Sequence, residues 1–323
     1  MTRPLPHART AVVTRTKDRP LLLARAMRSV TGQVDRDLVW IVVNDGGTRL
    51  HVDEAVAEAR RRGFEALAIH HDQSLGMQAA SRAGISACAS TYIVIHDDDD
   101  GWEPGFLAEA AAFLEAKPHY GGVVTDTVRV DEEIRIEDGV ESVVETGRSA
   151  YNPHVASIHL SEMAEENLFA PIAFLFRREV HDAVGGFDAS LPNLGDWDFN
   201  LRFLAQADIG VLRRPLANYH WRVSATGSNG NSVADGVSRH IEMDARIRNK
   251  LLRRDLAEGR VGLGHLVAAG RGRLSARGNL NNVAYRLGTR FLITEKSMHR
   301  LRRVAKAILR RIPVFAQTGA IRG

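Results

Sequence analysis

The apolar positions of this chain recur in two alternating rhythms. Short runs in which nearly every residue is apolar predict buried strands. They are Thr10–Thr14 (TAVVT), Leu38–Val43 (LVWIVV), Glu65–His70 and Thr91–Ile95 (TYIVI). Between them, apolar residues fall three or four apart, the spacing of an amphipathic helix. Pro20 opens the first such stretch, with Leu22, Ala26 and Val30 on one face and Gly32 as its stop. Further helices are predicted over 52–62, Gly76–Ser90 and Pro104–Ala116. Strands alternating with helices imply βαβ units, and hence an α/β fold whose mostly parallel sheet is covered on both faces.

Past Val123–Thr125 the rhythm weakens. The segment 126–148 alternates in sheet fashion with many acids and predicts a hairpin around Asp138-Gly139, to which no function is assigned. Ile172–Phe176 reads as a strand, Arg178–Val184 as a short helix, and Gly185-Gly186-Phe187-Asp188 as a tight turn. Gly195 then begins a helix through Ala205, and Ile209–Leu212 and Ala217–Trp221 read as two further strands. Arg239–Ala257 has helical periodicity, whereas the Gly- and Arg-rich stretch Gly259–Gly278 is expected to be loop-like. Ser297–Ile312 is strongly amphipathic, with Met298, Leu301, Ile308 and Ile312 opposite Arg300, Arg302, Arg303, Lys306, Arg310 and Arg311.

Charge divides the chain in two. The net charge is +4 over 323 residues, but residues 1–239 carry 24 Lys+Arg against 34 Asp+Glu, and residues 240–323 carry 19 against 5. This asymmetry predicts an acidic body over 1–238 and a basic helical extension over 239–323 with a partner of its own. The extension suits docking on the body or on a second subunit of a homo-oligomer, or on an anionic membrane surface through 297–312. Nucleic acid is the weakest of the candidate partners, because no recognisable nucleic-acid module accompanies the charge. Cys88 is the only cysteine, which excludes an intrachain disulfide and a cysteine-built metal site. No run approaches the roughly 18 apolar residues of a membrane span. A soluble or peripherally attached protein of a reducing compartment is expected.

The chemistry gathers after the fourth strand. There TYIVI runs into His96 and then four consecutive carboxylates, Asp97, Asp98, Asp99 and Asp100, before Gly101 turns the chain. Four adjacent like charges need cationic compensation, and a hard divalent ion such as Mg²⁺ or Mn²⁺ prefers carboxylate oxygen. In isolation such a run reads equally as a solvated acidic loop. In a parallel sheet, however, ligands collect at the carboxyl ends of the strands, where Thr14, Asp45 and Asp97–Asp100 are all expected.

Five segments in order carry a resemblance: AVVTRTKDRPLLLARAMRSVTGQ, VVNDGG, GMQAASRAGI, YIVIHDDDDGWEP and FLFRREVHDAVGGFDASLPNLGDWDFNLRFL. The chain resembles the family 2 glycosyltransferases of the GT-A, Rossmann-like fold over about residues 10–222. That resemblance implies inverting transfer of a sugar from a nucleoside-diphosphate sugar to a hydroxyl of a glycan or lipid-linked acceptor. The implied setting is cell-surface polysaccharide assembly at the cytoplasmic face of the membrane, with Mn²⁺ or Mg²⁺ as cofactor.

It also implies residue roles. Thr14, closing the first strand, and Asp45, closing the second, match positions near the nucleotide base. Asp97 and Asp98 match nucleotide-sugar contacts, and Asp99 the metal ligand, with Asp100 a spectator. Asp196 matches the general base, and His220 a histidine near metal and diphosphate. Trp102, Trp197 and Asp198 are candidate sugar or acceptor contacts. Asn229 and Asn231 lie in a Gly- and Ser-rich loop suited to cover the donor. His96 is read as structural. The chain departs from the family where Asn44 replaces Asp, Ser81-Arg82 replaces Arg-Asn and Gly195 replaces Glu. Two alternatives share parts of this pattern: a sugar nucleotidyltransferase, whose glycine-rich loop follows the first strand rather than the second, and a sugar-nucleotide-binding protein without transferase activity.

Overall fold

The computed structural model describes residues 5–137, 140–222 and 237–271, which belong to one compact unit running to Arg271. The predicted βαβ rhythm is present: β1 (His7–Thr16), α1 (Pro20–Thr31), β2 (Leu38–Asp45), α2 (Arg49–Arg61), β3 (Glu65–His71), α3 (Met77–Ser86) and β4 (Ala89–Ile95). Then follow β5 (Gly101–Trp102), α4 (Phe106–Ala116), the long strands β6 (Tyr120–Glu137) and β7 (Val140–Tyr151), and the short helix α5 (Leu160–Met163). The chain continues through a 3₁₀ turn at Pro171–Ala173 to β8 (Phe174–Arg177), α6 (Arg178–Ala183), α7 (Gly195–Leu204), β9 (Asp208–Trp221) and α8 (Val237–Ala257).

All nine strands form one sheet in the order β3-β2-β1-β4-β8-β6-β9-β5, with β7 paired on β6. The strands of the first half pair in parallel, as do β6 and β9, but β8 runs antiparallel to both β4 and β6. The sheet is therefore mixed, and β8 is the seam between its halves.

Alternation along each central strand divides the core. In β2, Val39, Ile41 and Val43 enter one apolar layer, while Leu38, Trp40 and Val42 enter the other. The second layer packs against α1, α2 and α4, through residues such as Leu23, Val56 and Leu107. The first includes Ile85 of α3, Met163 of α5, Trp197 and Phe203 of α7, and Met243, Ile247 and Leu251 of α8. Fully burying one such aliphatic side chain is worth about 1.5–3 kcal/mol, so α8 is strongly held to this body. The boundary expected at 238 thus falls inside the unit.

Three sequence expectations change. The two predicted strands at 209–212 and 217–221 are one strand, β9, because both pair continuously with β6 across a register shift. Gly101-Trp102 forms a short antiparallel pairing with Asn218 and Ala217 as well as turning the chain. Residues 263–271 are helical, not a loop. The readings of Asn229, Asn231 and the basic segment 297–312 lie outside the described residues, as does the hairpin tip at 138–139.

Candidate active site at the carboxyl edge of the sheet

The parallel register decides where the acidic run lands. Val13 of β1 pairs with Ile95 of β4, and His96 N–H still reaches the Val13 carbonyl at 2.9 Å. Two residues further on, Arg15 comes level with Asp97 and donates to its Oδ1 from Nε at 2.8 Å and from Nη2 at 2.5 Å. Arg15 Nη1 also reaches Ser81 Oγ of α3 at 3.2 Å.

The next three carboxylates are each met from a different direction. Asp98, almost fully buried, accepts from Thr16 Oγ1 at 2.7 Å and Arg19 Nη1 at 3.1 Å. Burial still pushes its carboxyl up to about 7, since water is withdrawn and Asp97 and Asp99 lie close, against the pull of Arg19. Asp99 is paired with Arg222 Nη2 at 2.5 Å and lies 3.5 Å from Arg19. Asp100 accepts the backbone N–H of His220 at 2.9 Å, and its own burial together with Asp99 raises its pKa well above the usual range. The compensation that four adjacent acids demand thus comes largely from arginines of β1, the β1–α1 connection and the end of β9.

Glu132 of β6 ties this arrangement together. It is buried, and it accepts from Arg25 Nη2 at 2.8 Å, Arg222 Nη1 at 3.2 Å and His220 Nδ1 at 2.6 Å. Burial works against its charge, but His220, Arg25 and Arg222 more than offset this and hold its pKa below the ordinary value. Burial lowers the pKa of His220, so its imidazole donates from Nδ1 to an ionised Glu132. Arg25 also donates to the Asp99 carbonyl at 2.8 Å. His96 is structural as expected: it is fully buried between Ser29 and Trp102, with its pKa lowered to about 4 by burial.

The residues assigned to the nucleotide base are placed differently from each other. Asp45 closes β2 and accepts from His71 Nδ1, Ser74 Oγ and the backbone N–H groups of Leu75 and Gly76, all at 2.7–2.9 Å. Burial would raise its pKa, yet these bonds, led by His71, keep it lowered. Its carboxylate organises the 74–76 turn at the head of α3, and Gly46 beside it, at φ 79°, leaves no room for a Cβ against Gln73 and Ser74. Thr14 does not close β1, which continues to Thr16. It is fully buried, and its hydroxyl accepts the Trp40 indole N–H at 2.8 Å. The hydroxyl at the strand end belongs to Thr16, which faces the acidic run.

Asp196 stands in the first turn of α7, near Arg15 and Asp97, whose charges act on it. The residue is half-buried, and desolvation pushes its carboxyl pKa up against the Trp197 backbone N–H and the charge of Arg15. Asn167 Nδ2 donates to its Oδ2 at 2.8 Å, and Asn200 Nδ2 donates to the side-chain Oδ1 of Asn167 at 3.0 Å. Gly195 lies against the Gln78 side chain, where an added Cβ would fall 2.3 Å from Cδ.

Three expected contacts prove to be core groups. Trp102 stacks on Phe106 and donates its indole N–H to the Ile172 carbonyl at 2.8 Å. Trp197 is 2% exposed and donates to the Met163 carbonyl at 2.7 Å. Neither indole offers an open face to a sugar. Asp198 is buried beneath Arg202, whose Nε and Nη2 both reach its Oδ2 at 2.6–2.9 Å, one turn along the helix. Its role here is an internal ion pair.

The groups missed from sequence are therefore Arg15, Arg19, Arg25, Glu132, Asn167 and Arg222. The first three were findable, since the arginines of TRTKDRPLLLAR cluster at the carboxyl end of the first strand and just after it, the edge where the carboxylates gather. Glu132 was hidden in an acid-rich hairpin that looks solvent-facing in one dimension.

Among the described residues, no three His, Cys, Asp or Glu side chains form a metal-holding cluster. A divalent ion would thus take one or two ligands from the chain and the rest from diphosphate and water, as Mg²⁺ commonly does at phosphate sites. The donor chemistry fits such an ion. Asp99 supplies hard oxygen at 15% side-chain exposure, and His220 is oriented by Glu132 in the manner of a carboxylate-backed ligating histidine.

Residues 11–185 match Glycosyl transferase family 2, more than half of the chain, and the chain belongs to that family. It is accordingly a glycosyltransferase by family. It is 28% identical over 237 residues to "Uncharacterized glycosyltransferase YwdF" of Bacillus subtilis, covering 72% of this chain and 81% of that protein. It is 25% identical over 207 residues to "O-antigen biosynthesis protein RfbC" of Myxococcus xanthus, 64% of this chain but 15% of that protein. A PGL/p-HBAD biosynthesis glycosyltransferase of Mycobacterium tuberculosis matches at 25% over 186 residues, 56% of this chain and 64% of its own length. Among solved structures, S. aureus TarS 1–349 in complex with UDP-GlcNAc superposes with TM-score 0.59 at 15% identity, over 82% of this chain and 71% of that one. The mannosyltransferase PcManGT from Pyrobaculum calidifontis, in complex with GDP-Man and Mn²⁺, gives 0.54 at 16% identity over 95% and 84%. At these identities the likeness establishes the GT-A-like fold.

Proposed function

We propose that this protein is an inverting, divalent-metal-dependent glycosyltransferase. It moves a sugar from a nucleoside diphosphate to a hydroxyl of a glycan or lipid-linked acceptor in cell-surface glycan assembly. The observation that carries this reading is the half-buried Asp196 carboxylate, raised in pKa and oriented by Asn167, near the Arg15–Asp97 end of an acidic strand edge. The solved complexes of structural relatives with UDP-GlcNAc and with GDP-Man and Mn²⁺ support the donor class.

In this mechanism the acceptor hydroxyl oxygen attacks the anomeric carbon as its proton passes to Asp196. The bond from the anomeric carbon to the phosphate oxygen breaks, and its electron pair leaves with the nucleoside diphosphate. Attack from the face opposite the leaving group inverts the centre. A carboxylate whose pKa is raised by desolvation is a better proton acceptor near neutral pH than an ordinary one. Asn167 keeps one oxygen engaged and so fixes the plane in which the other can accept. Asp99, with His220 held by Glu132, would hold the ion, whose contribution is to neutralise charge on the departing diphosphate. Asp97 and Asp98, clamped by Arg15, Arg19 and Thr16, bound the sugar-nucleotide side.

The test is Asp196→Asn, assayed by nucleoside-diphosphate release across a panel of UDP- and GDP-sugars. Turnover should fall about 10²–10⁴-fold, the usual worth of a general base, while donor affinity stays within about twofold. Wild-type turnover in that variant removes Asp196 as the base.

A further inference from the structure

The helix α8 that follows β9 carries a guanidinium that contacts both segments flanking the proposed base, the carbonyls of Ala164 and Glu165 and the indole of Trp197. We propose that Arg248 of α8 is a positioning residue for Asp196, which makes residues 237–271 part of the catalytic unit. The proposal rests on the reading of Asp196 as base.

Arg248 is 6% exposed, and four of its donor contacts are made inside the protein. Nε pairs with Asp244 one turn earlier at 2.9 Å. Nη1 donates to the Ala164 carbonyl at 2.8 Å and the Val267 carbonyl at 2.6 Å, and Nη2 to the Glu165 carbonyl at 2.9 Å. Its guanidinium also lies 4.6 Å from the centroid of the Trp197 indole. A buried cation is costly unless fully hydrogen-bonded, and here the acceptors are mostly carbonyls that would otherwise be orphaned past the end of α5.

These contacts close a ring around the base. Trp197, the neighbour of Asp196, donates to the Met163 carbonyl, and Arg248 takes the next two carbonyls, Ala164 and Glu165. Two residues further, Asn167 donates to Asp196 Oδ2. The segment 163–167 is thus held to the first turn of α7 at one end by Trp197 and Arg248, and at the other by the Asn167–Asp196 bond. Gly270 lets the 263–271 helix approach the same carbonyl, since a Cβ there would stand 2.6 Å from Ala164 O. Two further contacts from α8, Lys250 to Asp188 at 2.6 Å and His240 to Asn193 at 3.4 Å, brace the turn that leads into α7.

Only a planar fork can serve three carbonyls, a carboxylate and a ring face at once, so lysine keeps the charge but loses most of the geometry. The experiment compares Arg248→Lys with Arg248→Met in the full chain. Hydrogen exchange is followed over 163–167 and 194–200, with 38–45 as reference. Nucleoside-diphosphate release from UDP-N-acetylglucosamine and GDP-mannose, with water as acceptor, is followed beside nucleotide affinity. Arg248→Lys is expected to fold, to exchange faster at 163–167 and 194–200 alone, and to turn over about 10–100-fold more slowly with nucleotide affinity within about twofold. A misplacement of about 1 Å costs rate on that scale. Unchanged exchange in the folded lysine variant overturns the proposal, and so does faster exchange with unchanged turnover. Loss spread equally over 38–45 and nucleotide binding also overturns it, by making Arg248 a general stabiliser. The exchange arm needs neither donor nor acceptor, so it stands even if Arg248→Met does not fold. Wild-type turnover in Asp196→Asn defeats the base assignment, whereas an inactive Asp196→Asn beside a fully active Arg248→Lys defeats the positioning role alone.

Discussion

At the end of β4, four carboxylates stand in sequence and each meets a cation or an N–H: Arg15 of β1, Arg19 of the β1–α1 connection, and Arg222 and the His220 backbone at the end of β9. At the start of α7, the Asp196 carboxylate is met by the neutral amide of Asn167 and by backbone N–H groups of the helix's first turn, with Arg15 near but not bonded to it. The first region gathers charge and neutralises it, which suits holding an anionic diphosphate beside a metal ion. The second keeps a carboxylate short of water with no direct ion pair, so that desolvation outweighs its hydrogen bonds and raises its pKa, which suits accepting a proton. In the proposed mechanism the same residue type serves opposite ends of one reaction, and the difference lies in its neighbours.

That contrast can be broken from either side. The largest effect beyond the base itself is expected at Asp99. Asp99→Ala should abolish the part of donor affinity that depends on Mn²⁺ and reduce turnover about 10²–10³-fold, the scale of losing one group that stabilises transition-state charge. Calorimetric titration with and without Mn²⁺ reads this directly. An intact metal response would show that a group other than Asp99 holds the ion, and no metal response in the wild type would show that Arg222 and Arg19 carry the neutralisation themselves.

A smaller effect sharpens the other side. The Asn167 N–H favours the charged form of Asp196, so removing it should raise a pKa that desolvation has already raised. Asn167→Ala should move the acid limb of the rate profile to higher pH and lower the plateau by less than about tenfold. A limb that stays in place would mean that another group titrates there.

The smallest effect is one of stability. In the folded protein Asp98 titrates near 7, and in an unfolded chain near ~4. Between these values the folded state holds the extra proton, so stability falls as pH rises through that window. Asp98→Asn escapes this loss. Without donor, its melting temperature relative to wild type should climb from pH 5 to pH 8 by a few degrees, since 1 kcal/mol moves a domain of this size by roughly 2–4 °C. A constant difference would mean that Asp98 is ionised throughout.

Local periodicity was enough to read the βαβ half of the fold, because buried strands and amphipathic helices leave their spacing in the sequence whatever they later pack against. The acidic run and Asp45 could be singled out for the same reason, since their residue types and positions at strand ends are local facts, whereas Asp196 was picked out by the family resemblance. The division of labour among them is not local. Thr14 and Thr16 differ by one pleat repeat and an end of ladder, and only the sheet register sets Thr16 facing Asp98 while Thr14 holds Trp40. Glu132 lies over thirty residues from the acidic run, and Arg222 more than a hundred, yet β6 and β9 bring Glu132 against His220 and Arg222, and Arg222 against Asp99. Trp102, Trp197 and Asp198 sit beside site residues in sequence, but alternation along β5 and α7 turns them into the core. Sequence alone marked the acidic run, Asp45 and Asp196 as candidates for the chemistry. Which of them meet was decided by long-range pairing, since burial, and with it every pKa in the site, exists only once distant strands and helices have closed around the same few carboxylates.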